Sequence, residues 1–464
     1  MTTSANALPI AEATVRELSK AYGEPAWLLN RRLAAWRAYE AMAQPTGLEE
    51  EWRRTDLSGL DLEAALRVEA SGALMPALSS TPSSPVRETR VVVPSGPHSR
   101  PRRGIPIGPI RVDPSSQASD VLLLESDGEA TLPSERLPGG VVFTDLRTAA
   151  KKHAKLLEER LHRLVLPTEW KLQALAAALR ENGVLIHVPR GIEVELPLHV
   201  LFSSLKTACF PHVLIVAEEN SSVTVVQETH SPDELKAQLV SGAVEIYAGP
   251  YAKVRFYDIE RWGVNVNSFT TLRARLDRGA ELTTVTVGLG GKLSRSKIEA
   301  RLEGEGAQAD LLGVSYGDAS QHFDYNTLQD HRAPRTRSDL LYKAALTDRA
   351  SEVWNGTVRI HKGASLSDAN QTSRNLLLSP TAKAAPIPVL EIEQYDILRC
   401  SHGATAGPVD EEQLFYLESR GIEPAEAERL LVEAFFQPVL DRIMDDPLRG
   451  RVQELLARKI EGGR

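Results

Sequence analysis

The stretch GAELTTVTV at Gly279–Val287, followed 27 residues on by GAQADLLGV at Gly306–Val314, decides the fold of this chain. Each opens on a pair of small residues and runs on as an apolar/polar alternation rich in β-branched side chains, the pattern of a strand behind a tight turn. The same device recurs at Ser221-Ser222 and Gly363-Ala364. With the second small residue as a marker, the positions are Ser222, Ala252, Ala280, Ala307, Thr336 and Ala364, and the steps are 30, 28, 27, 29 and 28 residues. Between residues 184 and 400 further strand-like runs appear at Val213–Ala217, Ser222–Glu228, Ala243–Tyr247, Lys253–Tyr257, Glu281–Val287 and Val353–Ile360, with no long helical pattern among them. A period near 28 with one turn type per period predicts a stacked β solenoid. A β-sandwich with evenly spaced strands is the alternative that this pattern leaves open.

The flanks read differently. Residues 10–65 carry helical spacing, clearest in Pro25–Met42, where Leu28, Leu29, Leu33, Trp36 and Tyr39 recur with arginines between them. Residues 71–118 are punctuated by Ser and Pro and read as a linker with short strands, and residues 146–182 as helix again. Beyond Gly407, Asp410 is placed to cap a helix over Glu411–Arg420, Gly421 to stop it, and Pro424 to open a second helix reaching Met444. A short third helix is expected over Leu448–Ile460. The expected domains are therefore a mainly helical 1–182 with its Pro/Ser-rich linker, a β core over 183–407 and a helical 408–464.

Composition narrows the function. The 464 residues are 42% hydrophobic and 25% charged, with a formal net charge of -8, which argues against nucleic acid as the main partner. No apolar run approaches the roughly 20 residues of a membrane span, and MTTSANALPIAEATV lacks the basic and apolar regions of a secretory leader, so a cytoplasmic location is expected. Two cysteines, Cys209 and Cys400, fit a reducing compartment and cannot supply the four thiolates of a permanent cluster or structural zinc site. There is no P-loop: GLGGKLS has Thr286 where the first glycine belongs and Leu293 after Lys292. GxGxxG and HExxH are absent, and the 11 histidines form no i, i+4 pair.

Two segments hold candidate ligands. QHFDYNTLQDH, Gln321–His331, brings together two histidines and two aspartates. In a strand His322 and Asp324 share a face while Asp330 and His331 do not, so we expect polar residues on the solenoid surface rather than a metal site. CSHGATAG, Cys400–Gly407, closes the alternating run VLEIEQYDILRC. If that run is a strand, Cys400 and His402 point to one side, where a thiolate and an imidazole can meet a metal or a cluster; a small core cysteine is the plainer reading. Cys209 lies in TACFPH, an apolar context that suits a buried thiol.

The string from Asp330 to Pro380, the segment CSHGATAGPVDEEQLFYLESRGI at Cys400–Ile422 and the AEAERLLVEAFF run after it resemble the C-terminal half of the SufB/SufD family, and EEWRRTDL, Glu50–Leu57, resembles an N-terminal motif of its SufD branch. Gly403 after His402, and the short list of cysteines, also fit that branch. The resemblance implies a right-handed parallel β-helix core between helical N- and C-terminal domains. It implies a non-enzymatic scaffold subunit for iron–sulfur cluster assembly that pairs with a SufB-like paralogue through the β-helices and docks a SufC-like ABC ATPase on its C-terminal helices. A transient cluster would form at the paralogue interface, with His402 as the implicated residue and Cys400 beside it, and no cofactor would be held permanently by this chain alone. Phe415, Tyr416 and Arg420 are the expected ATPase-docking residues. A hetero-oligomer is expected, with a homodimer when the chain is alone. Two alternatives remain at this point. One is a SufB-like homodimeric scaffold. The other is a β-helix enzyme acting on polysaccharide, disfavoured by 5% aromatics and the lack of a recurring aspartate cluster.

Overall fold

The structure, a computed structural model, describes residues 10–66, 121–126, 129–131, 137, 139–181, 183–204, 206–233 and 238–462. The Ser/Pro-rich stretch 71–118 lies outside the described residues. In chain order the N-terminal elements are α1 Glu12–Ala21, α2 Ala26–Ala41, α3 Leu62–Ala65, β1 Val121–Ser126, β2 Glu129–Thr131, β3 Val142–Asp145, α4 Leu146–Lys152, α5 Ala154–Arg160 and α6 Lys171–Leu179. The helix expected over 146–182 is thus three helices with a break across 161–170. Seventeen strands follow: β4 Val184–Val188, β5 Leu198–Ser203, β6 Ala208–Cys209, β7 His212–Ala217, β8 Ser222–His230, β9 Gln238–Ala248, β10 Lys253–Arg261, β11 Val266–Leu276, β12 Glu281–Gly288, β13 Leu293–Leu302, β14 Gln308–Gly317, β15 His322–His331, β16 Arg337–Leu346, β17 Ser351–Ile360, β18 Asp368–Leu377, β19 Lys383–Ile392 and β20 Arg399–Pro408. The chain ends in α7 Glu411–Ser419, α8 Pro424–Leu440 and α9 Asp446–Gly462.

The strands alternate between two sheets. One runs β2-β1-β5-β8-β10-β12-β14-β16-β18-β20, the other β19-β17-β15-β13-β11-β9-β7-β4-β3, with β6 paired to β9. From β8 onward every rung is parallel and in register, for example Lys253↔Glu281, Glu281↔Gln308 and Gln308↔Arg337. This is a parallel β solenoid, and the β-sandwich alternative falls. Two strands that pair into it, β1 and β3, come before residue 183.

The turn device is more general than its glycines. Before each first-sheet strand from β8 to β18 a residue takes the left-handed conformation and the next small residue is buried: Asn220 before Ser221, Tyr251 before Ala252, Gly279 before Ala280, Gly306 before Ala307, Arg335 before Thr336 and Leu366 before Ser367. Glycine adopts positive φ without a Cβ penalty, yet only two of the six are glycine. The two outer markers are therefore corrected: Ser221 and Ser367 hold the position assigned to Ser222 and Ala364. The true steps are 31, 28, 27, 29 and 31 residues, and Gly363 (φ 91) makes a separate bend.

Inward rows stack into one apolar core, with Val254, Phe256, Leu282, Leu311 and Leu340 from one sheet facing Val244, Leu272, Ile298, Tyr325 and Trp354 from the other. The outer faces are covered too. Helix α6 and the N-terminal helices lie over the second sheet, packing Trp36, Trp52, Leu172 and Leu175 on Phe269 and Leu293. Helices α8 and α9 lie over the first sheet, packing Val432, Phe436, Val439, Val452 and Leu456 on Tyr257, Ile259, Val287 and Val314. Each such fully buried side chain contributes about 1.5–3 kcal/mol. Polar ties fix the placement of these helices: Arg442–Asp339 at 2.6 Å, Arg451–Glu228 at 2.5 Å and Lys459–Asp318 at 2.7 Å, with Lys343 Nζ donating to the Phe435 carbonyl at 2.6 Å. The C-terminal boundaries follow the capping chemistry read from the sequence. Asp410 accepts from the amides of Glu412 and Gln413, Gly421 has φ 87, and Pro424 opens α8.

Candidate functional site

The last coil is where the solenoid stops. Among the described residues β20 pairs only with β18 and β19 only with β17, so each leaves one edge without a strand partner. Backbone donors and acceptors on such an edge are open to another chain. The run Val389–Cys400 is not one strand as its alternation suggested: β19 ends at Ile392, the chain turns, and β20 begins at Arg399. Cys400 and His402 nevertheless share a face, because both lie early in β20 two residues apart, about 7 Å along a strand.

That face is the interior one. Cys400 is in register with Ala369, and His402 with Gln371, which in turn pairs with Leu340; Ala369, Gln371 and Leu340 are fully buried. A residue in the His402 row is covered wherever another coil follows, and after β20 none does. His402 is therefore exposed and makes no hydrogen bond among the described residues, with Gln371 directly behind it. Cys400 is half-buried against Val358, Ile360, Ala364, Leu390 and Ile397. Burial pushes its thiol up, so it is less of a thiolate than a free cysteine. Three large apolar side chains of the same coil stand exposed: Ile392, Leu398 and Tyr395, the last 96% accessible. The sequence reading missed them, although Tyr395 and Leu398 flank an obvious corner.

The other candidates resolve differently. In α7 no residue is buried, Phe415 and Tyr416 are both exposed, and the Arg420 guanidinium lies 5.2 Å from the Tyr416 ring centroid. Cys209 is half-buried beside Val240, Trp262 and Val266. The Gln321–His331 segment is not the polar surface expected: Asp324, Asp330 and His331 are all buried. His331 faces inward, bonded at 2.8 Å to both Thr336 and Ser338 hydroxyls, and burial lowers it to about 4. Asp330 faces outward and is held by Arg332 at 2.7 Å and His361 at 2.8 Å. Asp324 is taken up by Arg295 and Thr55. The EEWRRTDL motif thereby gains a physical role: Trp52 covers the Arg295 guanidinium at 4.0 Å, Glu51 pairs with it at 3.0 Å, and Thr55 reaches Asp324.

Within the described residues one group gathers three metal-ligating side chains, His162, His212 and Glu245. Its carboxylate is already saturated. It accepts from the amides of His162, Arg163, Leu164 and Val165 at 2.7–3.1 Å, and His212 Nε2 sits 3.0 Å from Oε2. This is an anchor for the loop after α5. GVSYG, Gly313–Gly317, has the spacing of a nucleophile elbow, which the sequence reading overlooked. Ser315 sits mid-strand facing inward and bonded to Glu352 at 2.5 Å, so it is not a presented nucleophile. What remains is a thiol and an imidazole on an open coil end, too few ligands to hold a cluster without a second chain.

The family model for the SUF system FeS cluster assembly SufBD core domain matches residues 200–435, and the SufBD N-terminal region model matches residues 122–200. The chain belongs to the SufBD family. SufBD proteins serve iron–sulfur cluster assembly, and the curated relatives agree. The chain is 32% identical to the iron–sulfur cluster assembly protein SufD of Bacillus subtilis across 73% of this chain and 78% of that protein. It is 31% identical to SufB of the same organism across 64% of each. A SufBD family protein of Staphylococcus saprophyticus is 28% identical across 92% of this chain and 88% of its own length. The SufBD core match ends inside α8, so the open coil and α7 both fall within it. No helix of the described residues is long and apolar enough to cross a membrane.

Proposed function

We propose that this chain is a SufD-type scaffold subunit that performs no turnover itself and completes a cluster-building site only when the open end of its solenoid meets a SufB-like paralogue. The observation that carries this reading is the exposed His402 in an otherwise buried inward row, at a coil whose two strand edges are free. Pairing of β19 and β20 with a partner's coils would satisfy those edges, cover Tyr395 and Leu398, and enclose His402 between two chains. A neutral imidazole is a competent iron ligand, so His402 would contribute one ligand to the nascent cluster, which is cargo here. Cys400, held as a thiol by its surroundings, is the second contributor and would need a nearby positive charge from the partner to ionise. The SufD assignment rests on Gly403 and the longer match to the SufD relative.

Helix α7 is the proposed seat of a SufC-like ATPase. Phe415 and Tyr416 are both exposed, Tyr416 meeting only the Arg420 guanidinium of its own helix end among the described residues, and α7 is tied to the rest through α8, which is itself fixed to the first sheet by Arg442 and Lys343. A rigid-body movement of an ATPase bound at α7 would thereby reach the solenoid. Co-expression with a SufB-like and a SufC-like protein, followed by size and stoichiometry, tests the whole reading: one copy of this chain per complex is expected. Phe415→Ser with Tyr416→Ser should release the ATPase while retaining the paralogue. A lone homodimer indifferent to both partners would overturn the assignment and favour the SufB-like alternative.

A further inference from the structure

The interior of the solenoid is not uniformly apolar. On β10 the inward row after Phe256 continues as Asp258 and Glu260, and Glu352 projects from β17 on the facing sheet; all three are buried. Glu260 accepts from Ser296 Oγ at 3.1 Å, while its Oε2 is buried with no partner among the described residues. Glu352 Oε2 accepts from Ser315 Oγ at 2.5 Å. Between them comes Tyr325, whose hydroxyl is also buried and, among the described residues, unpartnered. It rests over Gly288, where a Cβ would lie 2.2 Å from the phenol oxygen. Gly288 is the register partner of Glu260 on one side and of Ser315, the Glu352 partner, on the other. The missing side chain at 288 thus makes room for a phenol between two carboxyl groups.

Among the described residues no basic side chain bears on this cluster. Asp258 is answered by Gln227 at 3.0 Å, Glu260 feels Asp258, Glu352 feels Asp324 from the next strand, and Tyr325 feels Glu260, Glu352, Tyr342 and Asp258. An ionised carboxylate in such a place is costly, and the usual resolution is to keep its proton. Burial raises both Asp258 and Glu260 far above the carboxylate range and pushes Glu352 up to about 7. A metal ion does not fit equally well, because these oxygens are not among the three-ligand groups of the described residues.

We propose that Glu260, Tyr325 and Glu352 form a proton-holding site inside the solenoid, with both carboxyl groups neutral in the folded protein, so that the stability of the middle coils depends on pH. A proton on Glu260 Oε2 gives the unpartnered atom a donor's role, and the Tyr325 hydroxyl, donor and acceptor at once, is the group that can serve both carboxyls. The sign follows from linkage. The folded state retains protons that the unfolded chain releases in the ordinary carboxyl range. Their stabilisation is complete below that range and is lost as pH rises through about 7 and beyond.

Infrared spectroscopy of the full-length protein tests this directly. At about pH 6, where exposed carboxyl groups are ionised, a protonated-carboxyl C=O band is expected. It should disappear on raising the pH and lose one carboxyl's share of intensity in Glu260→Gln and in Glu352→Gln. The thermal midpoint of the wild type should fall as pH rises through about 7, and Glu260→Gln/Glu352→Gln should flatten that fall. Absence of the band from the wild type at about pH 6 overturns the proposal whether or not the variants fold. So does a band that both variants retain in full.

Discussion

His402→Ala is expected to leave the complex with both partners intact and to lower the iron and sulfide recovered per complex by roughly tenfold or more, the scale on which losing a metal-ordering group acts. The expectation rests on placement. His402 is exposed on β20, the last strand of the solenoid, and has no hydrogen-bond partner among the described residues, so nothing in the fold depends on it. Its truncation leaves Gln371 and the row behind it covered as before. The readout is cluster content after anaerobic reconstitution, with complex stoichiometry measured on the same sample. Undiminished content in an intact complex would remove His402 from the site and leave the open edges as a docking surface alone. Cys400→Ala is a smaller change by the same argument, because the thiol is half-buried among apolar side chains and burial holds it protonated.

Glu245→Ala is expected to cost about 3–5 kcal/mol, the scale for removing one member of a buried charge network. Its side chain is fully buried on the outer face of β9 and is the acceptor for four consecutive backbone amides at His162–Val165. Arg163 N can still reach the Arg160 carbonyl at 3.2 Å, but among the described residues His162, Leu164 and Val165 have no other recorded acceptor, so truncation strands three buried donors. His212 loses its partner at the same time, and since burial already lowers the basicity of both His212 and His162, neither compensates by charging. Hydrogen exchange resolves the effect where a global transition would blur it in a chain this large. The amides of 162–165 should lose protection first, with the loop between α5 and α6. Unchanged protection at those four amides would show that the anchor is dispensable.

The pairing of two carboxyl networks, one on the outer face at Glu245 and one inside at Glu260 and Glu352, also explains why alternation alone was a poor guide in this fold. In β9 all eleven positions are buried, because helix α6 and the loop before it cover one face and the solenoid interior the other. A strand covered on both sides shows no clean period of two. Hence Asp324, Asp330 and His331 read as surface residues although none is exposed.

What the sequence determined by itself is whatever a few neighbouring residues can specify. The coil period near 28 is written in small residues that must fit under each turn. The ends of α7 and the start of α8 are written in Asp410, Gly421 and Pro424, through capping, left-handed φ and a first-turn proline. The same-side relation of Cys400 and His402 needed only that both lie in one strand. Tertiary structure decided the rest, because burial depends on what arrives from far along the chain. Glu51 reaches Arg295 across 244 residues, and Arg451 reaches Glu228 across 223. Left-handed Leu366 and Arg335 are held by coil stacking, with Leu366 N bonded to Asp396 O and Arg335 N to Ser365 O, and no local propensity would choose those residues. His402 differs from the buried residues of its row in one respect: no further coil follows β20 to cover it.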